Sequence, residues 1–157
     1  MSDSFRLVAL EAERFRALFD RTDAELAAMG ARRMIVDDKP GFPCRVSLAD
    51  GEVGETVILL SYLHHDVPTP YRGIGPIFVR QGVATAHPAV GEVPFMFRHR
   101  PLSVRAYDRD GMLVASDVVQ GTELEAAILR LFEDPTTSYQ HVHNAKPGCY
   151  NCLVERA

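Results

Sequence analysis

Apolar positions are densest between Thr56 and Gln81, TVILLSYLHHDVPTPYRGIGPIFVRQ. Val57 to Leu63 is a run of β-branched and aliphatic residues without helix caps, and its length suits a strand. Alternation places Val57, Leu59, Ser61, Leu63 and His65 on one face and Ile58, Leu60, Tyr62 and His64 on the other. Both faces are apolar until the end, which predicts a central strand covered on both sides. Pro68 and Pro70 hold the following segment extended or turned. A second strand resumes at Ile77 and runs to Arg80.

The flanking pattern supplies the remaining elements. Phe5 to Leu10 reads as a first strand. Phe15, Leu18 and Phe19 fall at helical spacing within Glu11 to Asp20. Thr22 with Glu25 three residues on is a capping box, opening a helix over Asp23 to Met29 that Gly30 ends. Arg33 to Val36 and Cys44 to Leu48 read as short strands. Pro94 suits the first position of a short helix running to about Arg98. Leu102 to Tyr107 and Met112 to Val119 flank Asp110-Gly111, a hairpin signal. Thr122 and Glu125 form a second capping-box pattern, ahead of a helical stripe of Leu124, Ile128, Leu131 and Phe132, so a helix is predicted from about Glu123 to Glu133. Tyr139 to Asn144 and Cys149 to Val154 read as the last strands. Strands in hairpins with helices between them predict an α+β fold: a mostly antiparallel central sheet with two to four helices, in one domain spanning residues 1–157.

Composition narrows the function classes. The chain has 157 residues with a formal net charge of −4, 46% hydrophobic and 24% charged residues. That balance is ordinary for a globular protein and gives no general attraction to nucleic acid or anionic membranes. No apolar run is long enough for a membrane-spanning helix, and the opening MSDSFRLVAL lacks the apolar core of a signal peptide. Three cysteines, an odd number, argue against a disulfide framework and for reduced thiols in the cytoplasm.

Several phrases then resemble a known family. KPGFPCRVSL (Lys39 to Leu48), SYLHH with PYRGIGPIFVR (Ser61 to Arg80), RAYDRDGML (Arg105 to Leu113) and HVHNAKPGCY (His141 to Tyr150) resemble the bacterial domain-of-unknown-function family numbered 1203. The resemblance covers nearly the whole chain. It implies no activity, cofactor or catalytic residue.

Two clusters carry candidate chemistry. In the tail HVHNAKPGCYNC, His141 and His143 share one strand face, as a chelating pair requires, and with Cys149 and Cys152 they form a candidate zinc set. Residues three apart on a strand point to opposite faces, so the two sulfurs converge only if the chain turns between them. The chain following Cys152 is too short for the helix of a thioredoxin-type site. The second cluster surrounds His64-His65-Asp66. Adjacent strand residues point to opposite faces, so one histidine at most enters a given site. His64 is preferred because it shares a face with Tyr62; with Asp66 as a carboxylate partner it becomes a candidate general base, as does His143. Tyr71 and Arg72 sit on the proline-stiffened loop, where Arg72 either clamps an anion or pairs with Asp66. Gly73-x-Gly75 precedes a strand and reads as a turn. Arg98-His99-Arg100 reads as a solvated basic face, and Cys44 as a small buried hydrophobe.

Three functional readings follow. The first is a polar site for a small anionic ligand, lined by Tyr62, His64, Tyr71, Arg72, His141 and Asn144, serving binding or an enzyme activity. The second is a zinc site built on His141 and His143 with Cys149 or Cys152. The third is an interaction or structural domain without small-molecule chemistry, which a large exposed apolar patch would favour.

Overall fold

The computed structural model describes residues 4–157, so the first three residues, which belong to the N-terminal leader reading, lie outside it. The described residues form eight strands and two α-helices, joined by turns and short 3-10 segments. In chain order these are β1 (Phe5–Val8), α1 (Asp23–Ala28), β2 (Arg32–Ile35), β3 (Thr56–His65), β4 (Gly73–Arg80), β5 (Pro101–Tyr107), β6 (Leu113–Gln120), α2 (Leu124–Phe132), β7 (Tyr139–Asn144) and β8 (Tyr150–Arg156). Every pairing between these strands is antiparallel, and the α+β class holds. The strands divide into two sheets, one of five in the order β1-β8-β7-β5-β6 and one of three in the order β2-β3-β4. β3 is central, as its two apolar faces predict, but in the smaller sheet. The hairpin at Asp110-Gly111 forms between β5 and β6, with Gly111 in the left-handed region at φ +85.

The core explains this division. One face of the large sheet presents Leu102, Val104, Val142, Cys152 and Val154 to α2, where Leu124, Ala127, Ile128 and Phe132 complete a buried cluster. The helical stripe therefore packs as its spacing predicts. The smaller sheet has its own clusters: Ile58 against Leu26 of α1, and Ile77 and Val79 against Phe15 and Cys44. Period-2 alternation leaves Ser103, Arg105 and Tyr107 of β5, and Tyr139, His141 and His143 of β7, on the large sheet's other face. The end of β3 comes to lie against that face.

Several local expectations change. Cys44 to Leu48 is not a strand. Cys44 makes a single isolated bridge, to Phe78, the chain then turns with Leu48 at φ 51, and Arg45 is drawn inward to 1% exposure. Residues 11–20 form two 3-10 segments, Ala12–Arg14 and Arg16–Asp20, rather than one helix. Pro94 precedes a 3-10 turn, Phe95–Phe97. The first capping box is present, with the Thr22 side chain accepting from the Glu25 amide and Glu25 accepting from the Thr22 amide. The second is not, because a 3-10 turn, Gly121–Glu123, comes first and makes Glu123 the N-cap. No helix among the described residues is long and apolar enough to cross a membrane.

Candidate metal centre

β7 delivers two histidines to one face because its alternation is unbroken. His141 and His143 are 4% and 1% exposed, while Gln140, the neighbour of His141 on β7, faces α2 and donates to the Ile128 carbonyl at 2.9 Å. The third histidine comes from the other sheet. His64 sits at a register break in β3, where Leu63 pairs with Ile74 and His65 with Gly73, leaving His64 as the extra residue. A bulge of this kind re-aims side chains. His64 and His65 therefore both lie against the large sheet, where alternation alone would send them apart, but only His64 joins the group of His141 and His143. His64 meets His143 edge-on at 5.2 Å between centroids, and His65 meets His141 at 4.8 Å.

The two β3 histidines differ in what their nitrogens do. His65 is fully engaged: Nδ1 donates to the Tyr71 carbonyl at 2.8 Å and Nε2 accepts from the Tyr139 hydroxyl at 2.6 Å. It is a strut. His64, His141 and His143 each have a buried ring nitrogen with no hydrogen-bond partner, and one nitrogen from each lies within 4.8 Å of the others. In His143 the roles are determined. Nδ1 contacts the Gly148 carbonyl at 2.9 Å, and because a carbonyl only accepts, Nδ1 carries the proton and Nε2 a bare lone pair. That arrangement, an outer hydrogen bond orienting an inner lone pair, is the one metal-ligating histidines adopt.

The electrostatics keep the imidazoles neutral. Burial pushes His64 down to about 4, His141 to about 2 and His143 to about 3, with the neighbouring imidazoles and Arg105 acting in the same direction. A neutral imidazole is the ligating form. The rings around them stay un-ionised: burial raises the Tyr150 phenol well above its ordinary value and Tyr139 to about 12, and also raises Tyr107.

Four residues that sequence reasoning did not select shape this centre. Tyr150 stacks on the His64 ring and meets His141 and His143 edge-on. Arg45, whose side chain is buried, donates from Nε to the Tyr150 carbonyl at 2.7 Å and from a terminal nitrogen to the Pro43 carbonyl, tying β8 to the smaller sheet. Gly73 leaves room for His64, since a Cβ there would lie 2.6 Å from the imidazole Cε1. Arg105 lies opposite His141 across the β5–β7 pair. The polar alternation of Ser103, Arg105 and Tyr107 was the available signal for Arg105, but only the strand register shows what it faces.

The other candidates are placed elsewhere. Cys152 is buried in the α2-facing core, and neither it nor Cys149 joins the histidine group. The mixed histidine–cysteine set is therefore not assembled. Arg72 pairs with Asp66 at 3.6 Å, both exposed, so Asp66 is no partner for His64 and Arg72 no clamp beside it. The Tyr62 hydroxyl accepts from Arg14, and its ring packs on Phe15. Tyr71 contributes its carbonyl to His65 and its ring to Tyr107 at 6.3 Å. Asn144 faces away from the histidines and accepts from Asn151 at 2.8 Å. The Arg98–Arg100 stretch is not a solvated face: His99 and Arg100 both bind the buried Asp50, and Arg98 pairs with Glu125. A cleft of about 550 Å³ lined by Phe15, Phe19, Val79 and Arg80 lies apart from the histidines and gathers no comparable set of unpartnered donors.

No curated protein and no solved structure matches the chain. A family model does match, over residues 41–156, a span that holds all three histidines, Arg45, Gly73, Arg105 and Tyr150. The chain thus belongs to the family described as Protein of unknown function (DUF1203).

Proposed function

We propose that this protein binds one divalent transition-metal ion of the zinc class through His64, His141 and His143, and uses the open coordination position for chemistry on a small molecule. The observation that carries this is the His143 Nε2 lone pair, buried without a donor and grouped with unpartnered nitrogens of His64 and His141. A buried polar nitrogen left without a partner costs about 1–3 kcal/mol. Three of them in one place are unfavourable unless something fills the space between them. An all-imidazole set suits zinc, copper, nickel or iron rather than magnesium or calcium. Three donors also leave a tetrahedral ion one free position, the count of a catalytic centre rather than a structural one. A metal held there would supply a bound water that ionises near neutral pH.

The three cysteines are free. With the acidic net charge, they support a cytoplasmic setting without nucleic-acid partners.

The test is metal analysis of protein purified without chelator and then incubated with zinc at neutral pH. Close to one equivalent is expected in the parent and only trace metal in His64→Ala and His143→Ala. At a zinc concentration about a hundredfold above Kd, binding should stabilise the fold by about 2.7 kcal/mol. Trace metal in folded parent protein overturns the proposal.

A further inference from the structure

The chemistry of the ligand can be read from Arg105, a charged group that stands on the same sheet face as His141 and His143. In the β5–β7 register Arg105 lies opposite His141 and Ser103 opposite His143, so the guanidinium rises from the same sheet face as the two imidazoles, one strand away. Arg105 is half-buried. Its Nε donates to the Ser103 hydroxyl at 3.3 Å and its guanidinium also hydrogen-bonds the Tyr107 phenol, but among the described residues no carboxylate pairs with it. The other half-buried arginines behave differently: Arg33 pairs with Asp23, Arg80 with Glu55, Arg98 with Glu125 and Arg100 with Asp50.

The charge balance then has one direction. The three imidazoles are neutral donors and no carboxylate joins their group. A divalent ion between them, with Arg105 alongside, would bring three positive charges into a partly desolvated space where, among the described residues, no carboxylate joins the group. Such a site favours an anion, either a metal-bound hydroxide or an anionic ligand that displaces it. The guanidinium presents a planar fork that fits a carboxylate or phosphate edge in bidentate fashion. Aromatic rings form the wall beside it, with Tyr107 stacked on Tyr139 at 5.5 Å and Tyr71 edge-on to Tyr107.

We infer that the ligand of this centre is a small organic anion, bound with one oxygen of its carboxylate or phosphate towards the metal and the others on the Arg105 fork, its carbon skeleton against the tyrosines. The inference rests on the metal reading above. It moves the anion-binding role from Arg72, which is occupied by Asp66 in solvent, to an arginine on the sheet.

The experiment uses full-length protein loaded with cobalt(II), whose visible spectrum reports its ligands, titrated with benzoate, phenyl phosphate and neutral benzyl alcohol. At least one of the two anions should perturb the cobalt bands saturably, and the alcohol should not; which anion binds more tightly identifies the headgroup. Arg105→Gln should keep one equivalent of cobalt and weaken anion binding at least tenfold, and Arg105→Lys should fall between. Cobalt bound at one equivalent with bands indifferent to both anions overturns the inference, as does equal anion affinity in Arg105→Gln. Failure of the metal reading looks different: no cobalt is retained. Calorimetry of both anions on the metal-free protein then decides the anion site separately. Binding that Arg105→Gln abolishes upholds it, and no binding overturns it.

Discussion

The His64 ring lies flat against the Tyr150 ring, with centroids 5.2 Å apart and planes 8° from parallel. One residue comes from the small sheet and the other from the large, so this stack closes the seam at which the three histidines meet. Tyr150 is buried, and its backbone is held by Arg45. Truncating a buried aromatic costs about 3–5 kcal/mol. Tyr150→Ala is expected to lose that much in urea unfolding and to weaken zinc binding, because His64 loses its support. Tyr150→Phe keeps the ring and should stay within about 1 kcal/mol of the parent. Equal losses in the two variants would mean that the hydroxyl, not the stack, matters.

Gly73 is the steric condition for the His64 position. A methyl group there would sit 2.6 Å from the imidazole Cε1, and the Gly73 backbone is not in the left-handed region. Gly73→Ala should therefore fold normally while displacing the ring. Competition titration with a zinc chromophore should show affinity reduced at least tenfold. Unchanged affinity would show that His64 is not a ligand.

Cys152 separates the three-histidine centre from a mixed histidine–cysteine one. Burial raises its thiol far above the ordinary cysteine value, so at pH 8 it is almost entirely protonated and a poor nucleophile. Native protein should leave Cys152 unlabelled by a thiol reagent that modifies it readily once urea unfolds the chain. Cys152→Ala should retain its full metal content, and loss of metal in this variant would return the sulfur to the ligand set.

A pH prediction follows from Glu55, which takes two hydrogen bonds from Arg80, at 3.0 Å and 2.9 Å. Arg80 holds the carboxyl below its ordinary value of 4.5. A carboxyl depressed in this way binds fewer protons folded than unfolded. Its stabilisation is complete above the unfolded value and is lost as pH falls through the native one. The pair is partly solvated, with 15% and 30% side-chain exposure, so Glu55→Gln should cost no more than about 1 kcal/mol at pH 7. The difference from the parent should shrink towards zero as pH drops below 4.5. A difference constant with pH would assign the effect to packing instead.

Much of the scaffold was legible in the chain because it rests on short-range periodicity. The Leu124, Ile128 and Phe132 stripe, the Thr22–Glu25 cap, the Asp110-Gly111 hairpin and the shared face of His141 and His143 all depend on residues a few positions apart, where backbone geometry alone sets direction. The Cys44–Leu48 strand failed for a long-range reason. The segment turns so that the Arg45 side chain can reach the Tyr150 carbonyl, and no local pattern announces a partner that far along the chain.

The centre itself belongs to the tertiary structure. By alternation alone, His64 and His65 diverge; the register break between β3 and β4 turns both inward, and whether a strand bulges depends on the partner it pairs with. Arg72 had the more suggestive sequence setting, yet its neighbour Asp66 takes it in solvent, whereas Arg105 gains its place only because β5 pairs with β7 in a register that puts it across from His141. The sequence by itself determined which side chains stand on one face of one strand. Which strands lie side by side, and so which nitrogens are buried together without a partner, was decided by the packing of two sheets, since burial and desolvation exist only once the distant segments have met.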